Sequence, residues 1–331
     1  MTLMRTFLGA AATLALGAGV ALAEPALIYD LGGKYDKSFN EAAFHGAEKW
    51  AQETGGKYLE IVLQSEAQRE QALRSFAEAG ANPIITTGFA MASPIEEVAP
   101  DYPDTLFVTI DGWVDMPNVL TIGFTEHEGS YLVGMMAAKA SKTGTVGFIG
   151  GMDVPLIRKF ACGYAQGVLA ANPDAKVISN MTGTTPTAWN DPVKGGELAN
   201  AQISQGADVI YAAAGGTGVG VLQTAADAGI LSIGVDSNQN HLHPGQVLTS
   251  MLKRVDVAVY DVMMAGDEAK GGFLTLDLAA EGVGYAMDEH NQNLVNDDMI
   301  AAVEAAKAQI IAGEITVEDY GATSTCAVLK F

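Results

Sequence analysis

Short apolar runs alternate with longer stretches of helical period along nearly the whole chain. Runs of four or five apolar residues suit strands buried on both faces. Apolar residues recurring every three or four positions give a helix one inward stripe. On that reading Ala26–Tyr29 is a first strand and Ser38–Thr54 a helix with Phe44, Ala47 and Trp50 on one stripe. Leu59–Leu63 is a strand, Ala67–Ala79 a helix, Pro83–Thr86 a strand, Pro94–Ala99 a short helix and Leu106–Ile110 a strand. Glu128–Ser141 is a helix with Leu132, Met135 and Met136 inward.

The rhythm then restarts. Val146–Ile149, Lys176–Ser179, Val209–Ala213 and Leu231–Val235 read as strands, separated by helices over Ile157–Ala170, Val193–Gln205 and Gly218–Ala228. A helix at Val255–Ala265 and a mixed tail follow. Such alternation with short loops predicts α/β lobes: parallel sheets flanked by helices, with strand C-termini along one edge where ligands bind. Two successive blocks predict two similar lobes joined near Gly123–Glu128. Residues 24–125 plus 253–278 form one, and 126–252 plus 279–331 the other. A chain that returns after its second block makes a hinged cleft, and no low-complexity linker separates the blocks.

Residues 1–23 read as a signal peptide. Arg5 is the lone positive charge, Phe7 to Leu22 is apolar, and Ala21-Leu22-Ala23 offers a small-x-small cleavage site before Glu24. The plainer alternative is a buried first helix. Export makes the mature protein periplasmic and soluble, without a lipid anchor, since no cysteine lies near the cleavage site. No other stretch approaches the ~20 apolar residues that span a bilayer. That compartment holds no pool of ATP, NAD or coenzyme A. Charge narrows the partners further: 39 acidic residues against 18 basic give −21, which repels phosphate backbones and anionic lipid and speaks against nucleic acid. Two cysteines make neither a disulfide scaffold nor a four-thiolate zinc site. In an oxidising periplasm Cys162 and Cys326 can pair, although Cys162 also suits a buried thiol on its apolar helix.

The unusual residues fall in loops after strands. Ser38-x-x-Glu41 matches a capping box, yet Phe39 sits on the first turn at the sheet edge with Asp36 and Asn40 beside it. An aromatic face with short polar groups grips a flat heterocycle; a packing staple is the plainer reading. Asp111-Gly112 is an acid at a strand end or simply a turn. Trp189 stands in a loop, covering either a ligand or the hinge. Gly215 and Gly216 allow close backbone approach, but the spacing of Gly215–Gly220 fits no nucleotide fingerprint. Asp236 ends a strand, where a carboxylate can accept from two vicinal hydroxyls. Lys253 reaches either the cleft or a hinge salt bridge. No Gly-x-Ser-x-Gly or His-Glu-x-x-His is present, and the histidines are too sparse for a metal site.

In order, these segments resemble the basic membrane protein family of nucleoside-binding ABC-importer receptors. The resemblance runs through Asp36-Lys37-Ser38-Phe39-Asn40, Glu128-Gly129-Ser130-Tyr131-Leu132-Val133-Gly134 and Gly147-Phe148-Ile149-Gly150-Gly151. It continues through Gly206-Ala207-Asp208-Val209-Ile210, Gly234-Val235-Asp236 and Leu248-Thr249-Ser250-Met251-Leu252-Lys253. It implies the type I periplasmic binding protein fold, with two Rossmann-like lobes, and a monomer that binds without chemistry, metal or cofactor. Its implied partners are a purine nucleoside and an inner-membrane permease. By the same resemblance Asp30 or Asp36, together with Asn40, meets the base, and Phe39 stacks on it. Asp236 takes the ribose hydroxyls and Lys253 lines the site. Trp189, or failing it Tyr211, supplies the second aromatic. Riboflavin, a free purine or a sugar in the same fold is the nearer rival. An exported NAD-type enzyme is the farther one, opposed by export and by the glycine spacing.

Overall fold

The structure, a computed structural model, describes residues 23–331. The segment 1–22, and with it nearly all of the expected signal peptide, lies outside the described residues. Among those described, no helix is long and apolar enough to cross a membrane.

The chain first lays down β1 (Ala26–Tyr29), α1 (Phe39–Thr54), β2 (Leu59–Val62), α2 (Arg69–Glu78), β3 (Ile84–Thr87), α3 (Ala92–Val98), β4 (Phe107–Ile110) and β5 (Val119–Phe124). A second series follows: α4 (Glu126–Ala140), β6 (Thr145–Met152), α5 (Pro155–Ala171), β7 (Lys176–Gly183), α6 (Pro192–Ser204), β8 (Val209–Ala213), α7 (Thr217–Asp227), β9 (Leu231–Asp236) and β10 (Val247–Lys253). The chain then returns through α8 (Val255–Ala265) and β11 (Gly272–Leu276) before β12 (Val283–Tyr285), α9 (Asp297–Ile311) and a single turn, α10 (Tyr320–Thr323).

Two six-stranded sheets result, ordered β11-β5-β4-β3-β1-β2 and β12-β10-β9-β8-β6-β7. Every pairing is parallel except β10 with β12. The central strands β1, β3, β4 and β8 are buried along their whole length, as their continuous apolar or Thr-rich text requires. Apart from the direction of the last strand, the two orders superpose: β1 matches β6, β3 matches β8, β4 matches β9 and β5 matches β10.

The chain passes between the sheets three times, at Thr125, at Arg254 and between β11 and β12. These crossings are tied to one another. Thr125 N donates to Leu276 O at 3.3 Å, and Arg254 N to Gly282 O at 2.9 Å. The Glu128 carboxylate accepts from Thr125 Oγ1 at 2.6 Å and Leu278 N at 3.3 Å. Beside them α4 lies against α5 at backbone distance: a Cβ on Gly167 would stand 1.9 Å from Tyr131 O, so the contact requires glycine. Cys162, on α5, is joined to Cys326 in the tail by a disulfide, which settles the pairing that the sequence leaves open.

Candidate functional site

The C-terminal strand edges of the two sheets face each other around one cavity. It encloses about 670 Å³ of space free of atoms, counting its solvent-open mouth. Asp30, Asp36, Phe39, Asn40 and Asp111 line it from the first sheet's loops; Trp189, Gly215 and Asp236 line it from the second's, and Lys253 from the second crossing.

The loop after β1 is built around Asp36. Its carboxylate accepts from the backbone N–H groups of Ser38, Asn40 and Glu41 at 2.8, 3.0 and 3.1 Å. Those are the orphan donors of the first turn of α1, so Asp36 fixes where that helix starts and holds Phe39, its first residue, at the cavity. Burial nonetheless pushes the carboxyl up to about 7, against those three amides. The expected Ser38–Glu41 capping box does not form. With the amides taken by Asp36, Glu41 receives the backbone N–H of Lys37 instead, at 3.0 Å. The Ser38 hydroxyl turns outward and donates to the Asp236 carboxylate of the opposite sheet. Two further bonds join the same segments: Ser237 Oγ donates to Ser38 O at 2.8 Å and Gln239 Nε2 to Lys37 O at 2.9 Å.

Asn40 is held at both ends of its amide. Nδ2 donates to Asp30 O and Gly33 O at 3.3 and 3.1 Å, and Oδ1 accepts from Thr87 Oγ1 at 2.7 Å. Asp30 is clamped by Arg69, with Nε and Nη2 donating to its two oxygens at 3.1 and 3.2 Å. Asp30, Asp36 and Asn40 therefore reach the wall with protein partners already in place. The carboxylates keep spare lone pairs, since two oxygens offer about four acceptor sites.

Lys253 is the cation of the wall. Its side chain is 2% exposed, and its ammonium lies 2.6 Å from Asp111 and 2.9 Å from Glu126. The ring centroids of Phe39, Phe124 and Phe160 stand 5.1, 5.0 and 5.6 Å from the same nitrogen. Burial opposes the charge, but Asp111, Glu126 and Asp236 outweigh it and hold the ammonium protonated, above its ordinary range. Lys253 thus combines the two readings that the sequence offers, cleft and hinge ion pair. Burial raises Asp111 to about 6, with Lys253 pulling the other way; Asp236 is raised for the same reason. Asp111 Oδ1 is buried without a hydrogen-bond partner.

Trp189 closes a short helical turn, Pro186–Trp189, pinned where Thr182 and Thr217 donate to Ala188 O at 3.1 and 2.8 Å. Its ring lies over Gly151, where a Cβ would stand 2.2 Å from the indole. Two candidates fall outside the wall. Gly216 sits one residue behind it, as the N-cap of α7. Tyr211 is packed in the core between Phe148 and Tyr164, with ring centroids at 5.4 and 5.3 Å, because its whole strand is interior. Conversely, Leu31, Gly88, Phe89, Leu156, Ile157 and Phe160 are among the residues that line the wall without having been singled out. Phe89 carried a readable signal, an aromatic just past the glycine that follows β3; Phe160 carried none, being one of many apolar positions on α5.

Two hinged α/β lobes around a mixed aromatic and acidic cavity define a solute-binding receptor of the type I periplasmic binding protein fold. A solute-binding protein of an ABC transporter system from Aeropyrum pernix K1 has a similar structure, with a TM-score of 0.83 at 30% identity, covering 90% of this chain and 93% of that one. The Lac repressor shares the fold alone, at 13% identity and a TM-score of 0.58. The chain belongs to the basic membrane protein family, whose description, ABC transporter substrate-binding protein PnrA-like, matches residues 24–320. A CD4+ T-cell-stimulating antigen of Listeria monocytogenes is 34% identical over 89% of this chain and 87% of its own. The ABC transporter nucleoside-binding protein BmpA of Lactococcus lactis is 31% identical over 88% of each. The protein is accordingly an extracytoplasmic binding protein of an ABC transporter, and not an enzyme.

Proposed function

We propose that the cavity binds one purine nucleoside, with the base between Phe39 and Trp189 and the ribose hydroxyls at Asp236, Asp111 and Lys253. The observation that carries this reading is the convergence of both aromatic side chains with two buried aspartates and one buried lysine on a single interlobe cavity. A flat heterocycle bearing a hydroxylated ring matches that division into apolar and polar walls. The name of the Lactococcus lactis relative supports the same solute class. Asp30, Asp36 and Asn40 fall to the base end and Gly215 to the rim.

In this account the lobes, 24–125 plus 253–278 and 126–252 plus 279–331, swing about the three crossings and close on the solute, and the closed form is what an inner-membrane permease recognises. Segment 1–23 directs export to the periplasm. Both cysteines are engaged in the disulfide, which supports a form without lipid, although relatives from Pyrococcus are named lipoproteins. Native mass spectrometry of gently purified protein tests the reading: a retained mass of a purine nucleoside is expected, and a flavin or sugar mass instead would overturn it.

A further inference from the structure

The charges around Lys253 extend past the cavity. Glu126, the first residue after the first crossing, does not line the wall, yet its side chain is 1% exposed. One of its oxygens lies 2.9 Å from Lys253, at the end of β10, and the other 2.9 Å from Lys159, on α5. Lys159 also donates to the carbonyl of Phe124, just before the crossing, at 2.7 Å. An unbroken row, Asp111, Lys253, Glu126, Lys159, therefore runs from the first lobe through two crossings into the second. Burial works against the charge on Glu126, but the two lysines outweigh it and hold the carboxyl down to about 2.

A lysine is a point charge on a flexible stem, so one carboxylate alone would let it follow that partner. Asp111 by itself would draw the ammonium toward the first lobe. Two carboxylates on different elements, inside a collar of three rings, leave it one position. We propose that Glu126 is a positioning residue for solute binding, setting the Lys253 ammonium where it meets the hydroxyl-bearing part of the ligand, with Lys159 fixing Glu126 in turn. This rests on the nucleoside reading above.

The test compares inosine with 2′,3′-dideoxyinosine by calorimetry on wild type and Glu126→Gln. Glu126→Gln is expected to weaken inosine by about tenfold or more, the scale of one charge-assisted hydrogen bond, while dideoxyinosine, which lacks the vicinal 2′- and 3′-hydroxyls, stays within about twofold. Equal weakening of both ligands, as general loosening of the hinge would give, overturns the proposal, and so does no change in either. Lys159→Met, which leaves the cavity wall intact, gives a second line should the first variant not fold. It is expected to show the same selective loss to a smaller degree, and equal loss of both ligands contradicts the proposal. Wild-type protein that binds neither nucleoside would overturn the nucleoside reading itself, a result distinct from either variant's failure.

Discussion

Asp111 and Asp236 occupy equivalent positions in the two lobes. Each follows directly on, or ends, one of the matching strands β4 and β9, each has a left-handed backbone (φ 70° and 62°), and each turns its side chain into the same cavity. A non-glycine residue in that region costs of order 1–3 kcal/mol, and aspartate tolerates it better than most. The doubled fold thus carries one acidic position to both sides of the cleft, with Lys253 between them. Asp236→Asn and Asp111→Asn should each weaken adenosine binding by about 1.5–3 kcal/mol, the range for hydrogen bonds to a charged group. Calorimetry checks this, and unchanged affinity in both variants would remove the pair from the site.

The stacking walls give a second expectation. Phe39→Ala and Trp189→Ala should each cost about 1–3 kcal/mol of binding, taking base–aromatic stacking as the scale. Intrinsic fluorescence of Trp189 should also change on titration with nucleoside. A silent signal together with unaltered affinity in both variants would place the base elsewhere.

Charge sets a third. Four carboxylates line the cavity against one lysine, so a 5′-phosphate would enter a field of its own sign. Adenosine 5′-monophosphate should bind at least about 100-fold more weakly than adenosine, a gap of ~2.7 kcal/mol. Competition calorimetry near pH 8 measures the ratio, and parity between the two would contradict the assigned walls.

The disulfide bears on stability. Cys162 and Cys326 are 164 residues apart, and cross-linking so long a loop restricts the unfolded chain. The double serine variant should lose about 2–5 kcal/mol of unfolding free energy, read as a lower urea midpoint. An unmoved midpoint would show that the bridge contributes nothing.

Asp36 makes stability depend on pH. Its folded-state value is about 7, raised mainly by burial, so the native protein keeps a proton that the unfolded chain has lost. Its contribution is fully present below the ordinary carboxyl range and declines as pH rises toward 7, by at most about 1.4 kcal/mol per pH unit. Between about pH 5 and 8, Asp36→Asn should flatten the pH slope of the urea midpoint relative to wild type. Identical slopes would show that Asp36 does not titrate there.

Much of the architecture was legible because buried parallel strands are written as apolar runs. The expected bounds of β1, β8 and α8 match those observed. Four strands escaped notice, β5, β10, β11 and β12, and for two of them the physical reason is plain. β10 is interior but carries Thr249 and Ser250, whose hydroxyls are satisfied by Ala286 O at 2.8 Å and Asn240 Oδ1 at 2.9 Å. β11 is half exposed at a sheet edge, so it carries no buried apolar run. The cavity's polar residues stood out because acids at strand ends are uncommon punctuation. Ser38 was misread because sequence gives no sign that Asp36, two residues earlier, takes the helix's free amides. Glu126 was missed because the helix containing it starts two residues before the expected Glu128.

The most direct measurement is titration calorimetry of ligand-stripped protein with adenosine and with adenine. The account predicts that adenosine binds more tightly by at least about tenfold, because the free base forgoes the ribose hydrogen bonds to positions 111, 236 and 253 and leaves the buried Asp111 Oδ1 without a partner. Equal affinities for the two would contradict it.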